Sequence, residues 1–222
     1  MRPTIRSLVA VLALAPLATA AGQGKGRIEL TPFLGMYAPV ADIINLTDPS
    51  GSGLTLVFSQ KSAFSFGGRL GYGISDRAAI EGAFGYTPSD VKVEVAGFGS
   101  VALGGTVMQA SARVRYRLNA PASQTGWHLI GGLAMISRGG EIWDSLETGG
   151  LRIDGRTDFG VVLGGGVALP VGKKLALRID VEDYIHQAKF TLDAQGSQAD
   201  TESQLQNDLV FSIGLAIQLG GP

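Results

Sequence analysis

Between Leu209 and Leu219, Leu, Phe, Ile, Leu, Ile and Leu take every second position, and Val210, Ser212, Gly214, Ala216 and Gln218 fill the gaps. A period of two sends successive side chains to opposite faces of an extended chain. The segment therefore reads as a β-strand with one bulky apolar face and one small or polar face. The rhythm recurs over residues 27–37, 62–74, 77–87, 106–118, 127–137, 158–169 and 174–185, with the final segment at 208–219. These lengths are close to the roughly 9–11 residues that a tilted membrane-spanning strand needs. Beyond the first twenty residues no stretch is long and apolar enough for a spanning helix. A membrane location would thus require a closed barrel, which pairs every backbone N–H and C=O internally.

The connections between these segments alternate in length. Those at Ser75-Asp76, Asn119 to Gly126 and Pro170 to Lys173 are short, whereas 38–61, 88–105, 138–157 and 186–207 are long. Short turns on one side and long loops on the other are the arrangement of an even-stranded outer-membrane barrel, with both termini on the periplasmic side. A soluble barrel has no reason to sort its loops this way. Within the long connections, Val91, Val93 and Val95 alternate with Lys92 and Glu94 ahead of Gly97-Phe98-Gly99-Ser100, Val101 and Leu103. This pattern predicts a hairpin continuing the third and fourth strands, and Leu54, Leu56 and Phe58 predict a similar extension of the second. The polar run Gln195 to Gln206 predicts the most mobile loop.

Which face looks inward follows from three features. The face opposite the bulky residues carries small side chains, such as Gly67, Gly71 and Gly73 or Gly160, Gly164 and Gly166, which suit a narrow interior. The segment Phe159 to Leu169 has no charge on either face, which would leave a water-exposed strand unusually bare. The charges that do fall on strands share the small-residue face: Arg113, Arg115 and Arg117 oppose Ala112, Val114 and Tyr116, while Arg178, Asp180 and Glu182 oppose Leu177, Ile179 and Val181. An Arg facing lipid at mid-depth costs roughly 2–4 kcal/mol, so these residues belong inside.

Inside a barrel an unpaired charge is itself costly, so the inward ions must find one another. Arg69, Arg113, Arg115, Arg117 and Arg178 face Glu29, Glu81, Asp180 and Glu182, a nearly balanced set that predicts a salt-bridged interior. Arg117 sits closest to periplasmic water. An eight-stranded lumen is just filled by side chains, which favours a structural plug over a pore. Tyr72 and Tyr116 fall near short turns, and Phe64, Phe66, Tyr86 and Phe159 near long loops, as expected of two aromatic belts.

Composition agrees and excludes several classes. Charged residues make up 17% of the chain, against about 25% in soluble domains. Among its 222 residues are 33 Gly and no Cys, so disulfide frameworks, Cys-based zinc sites and thiol nucleophiles are excluded. A formal charge of −1 without basic clusters argues against nucleic acid as a partner. At the N-terminus, Arg2 and Arg6, the apolar run Leu8 to Leu17, and Ala18-Thr19-Ala20 form the three parts of a secretory signal peptide. The expected organisation is a cleaved signal over 1–20 and an outer-membrane β-barrel domain over 21–222.

The chain resembles the small eight-stranded outer-membrane barrels of the OmpA, OmpX and OmpW kind. The resemblance is carried by the architecture, by the closing-strand stretch Asn207-Asp208-Leu209-Val210-Phe211-Ser212-Ile213-Gly214-Leu215, and by the turn-like Gly71-Tyr72-Gly73-Ile74-Ser75-Asp76-Arg77. It implies an all-β, antiparallel, up-and-down transmembrane barrel in the cell outer membrane. The implied partners are outer-membrane lipid and lipopolysaccharide, the barrel-assembly machinery and periplasmic chaperones; no cofactor is implied. The chain departs from that group in ending Leu219-Gly220-Gly221-Pro222 rather than on an aromatic residue.

Catalytic and metal-binding patterns are sparse. Lipid A deacylase barrels carry a His-x-Ser pair, but His128 precedes Leu129-Ile130 and His186 precedes Gln187-Ala188. Gly164-Gly165-Gly166 lacks the Lys-Ser/Thr of a phosphate loop and reads as close packing or a bend. Asp48, Asp144 and Asp154 lack calcium-loop spacing. The leading expectation is a non-enzymatic barrel with a closed or very narrow core and external loops serving envelope stability, adhesion or recognition. The alternatives are a conduit passing small apolar molecules into the membrane and a lipid-modifying or proteolytic barrel using His186.

Overall fold

The computed structural model describes residues 25–47, 55–95, 99–121, 123–142, 151–154, 156–188, 191–194, 197–200 and 204–219. The expected signal segment 1–20 and the terminal Gly220-Gly221-Pro222 lie outside them. The strands, in chain order, are β1 Ile28–Pro39, β2 Ile44–Thr47, β3 Thr55–Gln60, β4 Ala63–Gly73, β5 Ala78–Pro88, β6 Val91–Val95, β7 Gly99–Leu103, β8 Thr106–Arg117, β9 Gly126–Gly139, β10 Leu151–Asp154, β11 Thr157–Pro170, β12 Leu175–Ala188, β13 Thr191–Ala194, β14 Ser197–Asp200 and β15 Gln204–Leu219.

Eight of these strands close on themselves in the order β1-β15-β12-β11-β9-β8-β5-β4, every neighbour antiparallel. Closure brings Ile28 opposite both Leu219 and Tyr72, so the first and last strands seal the sheet and leave it no edge. The barrel strands coincide with the eight alternating segments to within a few residues. The short turns are tied locally: Ser75 Oγ accepts from the N–H groups of Arg77 and Ala78, and the Ile74 N–H donates to the Ala78 carbonyl at 2.9 Å.

Polarity is inverted relative to a soluble barrel. Arg69 and Arg178 are 2% and 0% exposed, whereas Leu133 and Phe159 are 71% and 76% exposed. Inward glycines let the strands lie this close. A Cβ on Gly132 would lie 2.5 Å from Arg113 Cα, and Cβ atoms on Gly164 and Gly166 would collide with the carbonyl oxygens of Val181 and Ile179. Gly164 and Gly166 in the triple-glycine run therefore serve close packing.

The long connections fold into further strands. The predicted hairpin forms as β6 and β7 and keeps the register of β5 and β8: Pro88 lies opposite Thr106, the Ser89 N–H donates to the Gly105 carbonyl at 3.0 Å, and Val91 lies opposite Leu103; with β2 and β3 it makes a four-stranded sheet of order β2-β3-β6-β7. Likewise β3, expected to lengthen β4, pairs with β6 as β4 pairs with β5, one residue out of step, and with β2 on its other side. Lys61 and Ser62 separate β3 from β4, and the Lys61 N–H turns to the Asp90 carbonyl at 2.9 Å. The polar run expected to be a mobile loop contains β14 and the first residues of β15. There β13 pairs with both β10 and β14.

Candidate functional site

The interior of the barrel collects the titratable side chains into layers. Nearest the short turns and through the middle of the lumen lies a network of four Arg and four carboxylates. Arg69 pairs with Asp180 at 3.2 Å and Glu182 at 2.8 Å. Arg113 pairs with Glu81 at 3.3 Å and Glu182 at 2.9 Å. Arg115 pairs with Glu29 at 2.8 Å and Glu81 at 3.1 Å. Arg178 reaches Glu81 at 2.6 Å, Asp180 at 2.8 Å and Glu29 at 3.7 Å.

These side chains meet because each occupies an inward position of its strand and is long enough to cross a lumen walled by glycine. Register supplies part of the pairing: Glu81 lies directly opposite both Arg113 and Gly71. Burial of so many ions is tolerable only when opposite charges and hydrogen bonds replace water. Arg69 gains two further contacts, with Ser212 Oγ at 2.6 Å and with the Phe33 ring, whose centroid lies 4.1 Å from its guanidinium carbon.

Arg117 is the member that the structure separates from the rest. Its guanidinium donates to Asn119 Oδ1 at 3.3 Å and to the Ser123 carbonyl at 2.7 Å. Asn119 in turn donates to the Thr125 carbonyl and accepts from the Trp127 N–H. At the end of β8 the turn's own acceptors are nearer than the interior carboxylates, so Arg117 braces the turn instead of joining the network. His128 does join it, with Nε2 2.6 Å from Asp180 Oδ1.

Above the network lies an apolar layer of Tyr37, Val107, Ala134, Ile136, Val162, Tyr184 and Val210, each at most 4% exposed. Its two tyrosines turn their hydroxyls to opposite sides. Tyr184 donates downward to Glu182 Oε2 at 3.0 Å, while Tyr37 donates to Asp208 Oδ1 at 2.7 Å.

Asp208 belongs to a second polar cluster, at the long-loop end. Arg138 donates to Asp158 Oδ2 at 2.9 Å, Gln206 Oε1 at 2.9 Å, Asp208 Oδ2 at 3.4 Å and His186 Nε2 at 3.0 Å. None of these residues was among the expected ions. Arg138, His186 and Gln206 fall where the sequence reads as loop, because the strands run further outward than the alternation of bulky residues does. The inward parity of Asp158 and Asp208 was the available signal.

His186, the candidate for catalysis, is thus 2% exposed and packed against Arg138. Among the described residues no group of three His, Cys, Asp or Glu is arranged to hold a metal ion.

The outer wall is apolar and carries the expected aromatic rows. Tyr72 and Tyr116 are exposed at the short-turn end and Phe64, Phe66 and Phe159 at the other; Tyr86 is half-buried against Phe66, with ring centroids 5.4 Å apart. Between β4, β1, β15 and β12 this wall holds a groove of about 530 Å³, lined by Leu34, Met36, Phe64, Phe66, Phe211 and Ile213 among others.

A family model described as "Outer membrane protein beta-barrel domain" matches residues 7–217. Three solved structures share the fold. OprG of Pseudomonas aeruginosa is 12% identical, with 91% of this chain and 100% of that one covered and a TM-score of 0.69. AlkL, determined in lipid bilayers, is 14% identical over 95% and 98% of the two chains, with a TM-score of 0.61. The Escherichia coli outer membrane protein W is 15% identical over 88% and 99%, with a TM-score of 0.52. No curated protein matches the sequence.

Proposed function

Because the chain belongs to the outer membrane protein β-barrel domain family and resides in the cell outer membrane, we propose that it is a non-enzymatic barrel with a shut lumen. Its task is then carried by the outward-facing β-structure: envelope stabilisation, adhesion or recognition at the cell surface. One observation carries the reading. Going from the short turns outward, the lumen is crossed by a balanced ion network, then an apolar layer, then a second polar cluster. Water and solutes would have to displace ion pairs from a medium where each is costly to break.

The proposal has a direct test in planar bilayers. The purified barrel should give no stable conductance steps, and Tyr184→Ala, which thins the apolar layer, should at most produce brief openings. Stable steps from the parent protein, abolished by altering Arg113 or Arg115, would replace the closed barrel with a channel. Mass analysis of lipid A from cells with and without the protein should give the same profile. A change in that profile that His186→Ala reverses would replace the non-enzymatic assignment.

A further inference from the structure

The apolar layer is not built from every wall of the lumen. Its members stand on β1, β9, β11, β12 and β15, with Val107 alone on β8. On β4, β5 and the rest of β8 the neighbouring inward positions hold small or polar residues: Ser65, Gly67, Gly85, Thr87, Gln109 and Ser111. Register sets Thr87 opposite Val107, Gln109 opposite Ile136 and Ser111 opposite Ala134, so these polar positions lie directly beside the layer.

The polar groups of this wall are enclosed. Ser65, Thr87 and Gln109 are 1%, 0% and 2% exposed. Among the described residues, Ser65 Oγ, Thr87 Oγ1, Gln109 Nε2 and Ser111 Oγ have no hydrogen-bond partner. On the facing strands the inward hydroxyls of Tyr37, Tyr184 and Ser212 each have one. Leaving a buried hydroxyl or amide unpaired is costly, and native interiors satisfy such groups with protein or with internal water.

Two of these side chains meet over Gly85, which has no side chain to separate them. From the position that a Cβ on Gly85 would take, Gln109 Oε1 lies 3.3 Å away, Ser65 Oγ 3.7 Å and the Phe33 ring 3.6 Å. The amide and the hydroxyl thus converge without bonding to each other, a separation that one water spans. Inward spacing of two continues the polar row in both directions. Thr87 follows Gly85 on β5, and Ser111 and then Arg113 lie along β8 from Gln109. Arg113 Nη2, beyond the ion pairs that Arg113 makes with Glu81 and Glu182, is likewise a donor without a hydrogen-bond partner.

We propose that the β4–β5–β8 wall binds a short file of internal waters, running from Thr87 past Ser65 and Gln109 to Ser111 and the Arg113 guanidinium. Water fits as the ligand because it is small, neutral and both donor and acceptor. It thereby matches hydroxyls and an amide beside a network whose charges already balance. The apolar layer then closes only part of the cross-section, and the ion network is the element that stops solutes. This deepens the closed-barrel reading and rests on it only for where the file ends.

Water-edited solid-state NMR of the isotope-labelled full chain in phospholipid bilayers tests the file. Proton magnetisation from water should reach the side chains of Ser65, Thr87 and Gln109 at least about threefold faster than the methyls of Val162 and Val210 in the apolar layer. Gln109→Met keeps the reach of the side chain and removes its amide. It should slow transfer to Ser65 at least about twofold and lower the urea midpoint, because the waters lose an anchor. Equal transfer to Ser65 and Val162 in the parent overturns the file. A higher urea midpoint in Gln109→Met does so too, since relieving a dry, unpaired amide would stabilise the barrel. Folding is verified by heat-modifiable gel mobility; should Gln109→Met fail to fold, the comparison within the parent decides alone. The conductance test stands apart: stable steps would refute the shut lumen, whereas waters that end at an unbroken network carry no current.

Discussion

Replacing Arg178 with Met removes the most enclosed charge of the central network while leaving an apolar chain of similar reach. Its closest contact, 2.6 Å to Glu81 Oε1, corresponds to an attraction of about 6 kcal/mol at an effective dielectric of about 20. Two things reduce the net loss. Arg178 no longer has to be desolvated, and Glu81 keeps Arg113 and Arg115 while Asp180 keeps His128 and Arg69. What remains is a network with one carboxylate in excess, for which breaking a buried pair typically costs about 3–5 kcal/mol. The lower end is expected here because the other arginines spread the excess.

Adding Glu81→Gln to Arg178→Met returns the network to three cations and three carboxylates. The double variant should therefore be more stable than the sum of the single losses predicts, by about 2 kcal/mol. Urea unfolding of the barrel in lipid vesicles, followed by tryptophan fluorescence, reads all four corners of the cycle. Coupling below about 0.5 kcal/mol, the level at which independent sites add, would refute the reasoning that these ions stabilise by mutual pairing.

Leu133→Arg, on the lipid-facing side of β9, should cost roughly 2–4 kcal/mol in the same unfolding assay, and no loss would mean that this face does not meet hydrocarbon. Gly132→Ala forces a methyl against the Arg113 backbone and should destabilise by about 1–3 kcal/mol, seen as a lower folded fraction on unheated gels. Arg117→Ala should cost less than Arg178→Met, about 1 kcal/mol, because it loses hydrogen bonds to a turn rather than a share of the ion network. Equal losses for the two Arg variants in urea would mean that Arg117 carries more than the turn.

Much of this architecture is legible in the chain because alternation has a direct physical meaning. Leu209 to Leu219 can satisfy its pattern only as a strand with hydrocarbon on one side. Arg113 and Arg115 then say which side is the interior, since lipid would not accept them. The strand positions, the alternation of short and long connections and the inward direction of Glu29, Arg69, Glu81, Asp180 and Glu182 all rest on such local arguments.

A period of two, however, gives the face of a residue and not its height in the barrel. Height depends on the stagger between neighbouring strands, which arises only when β1 meets β15 and the sheet closes. For that reason the level at which Arg117 ends, beside Asn119 and Ser123 instead of a carboxylate, was not readable from its parity. The meeting of Arg138, Asp158, His186 and Asp208 from four different strands was hidden for the same reason. Sequence alone determined which surface touches lipid, because that is a property of each residue; only tertiary closure decided which ions touch each other, because that is a property of the stagger.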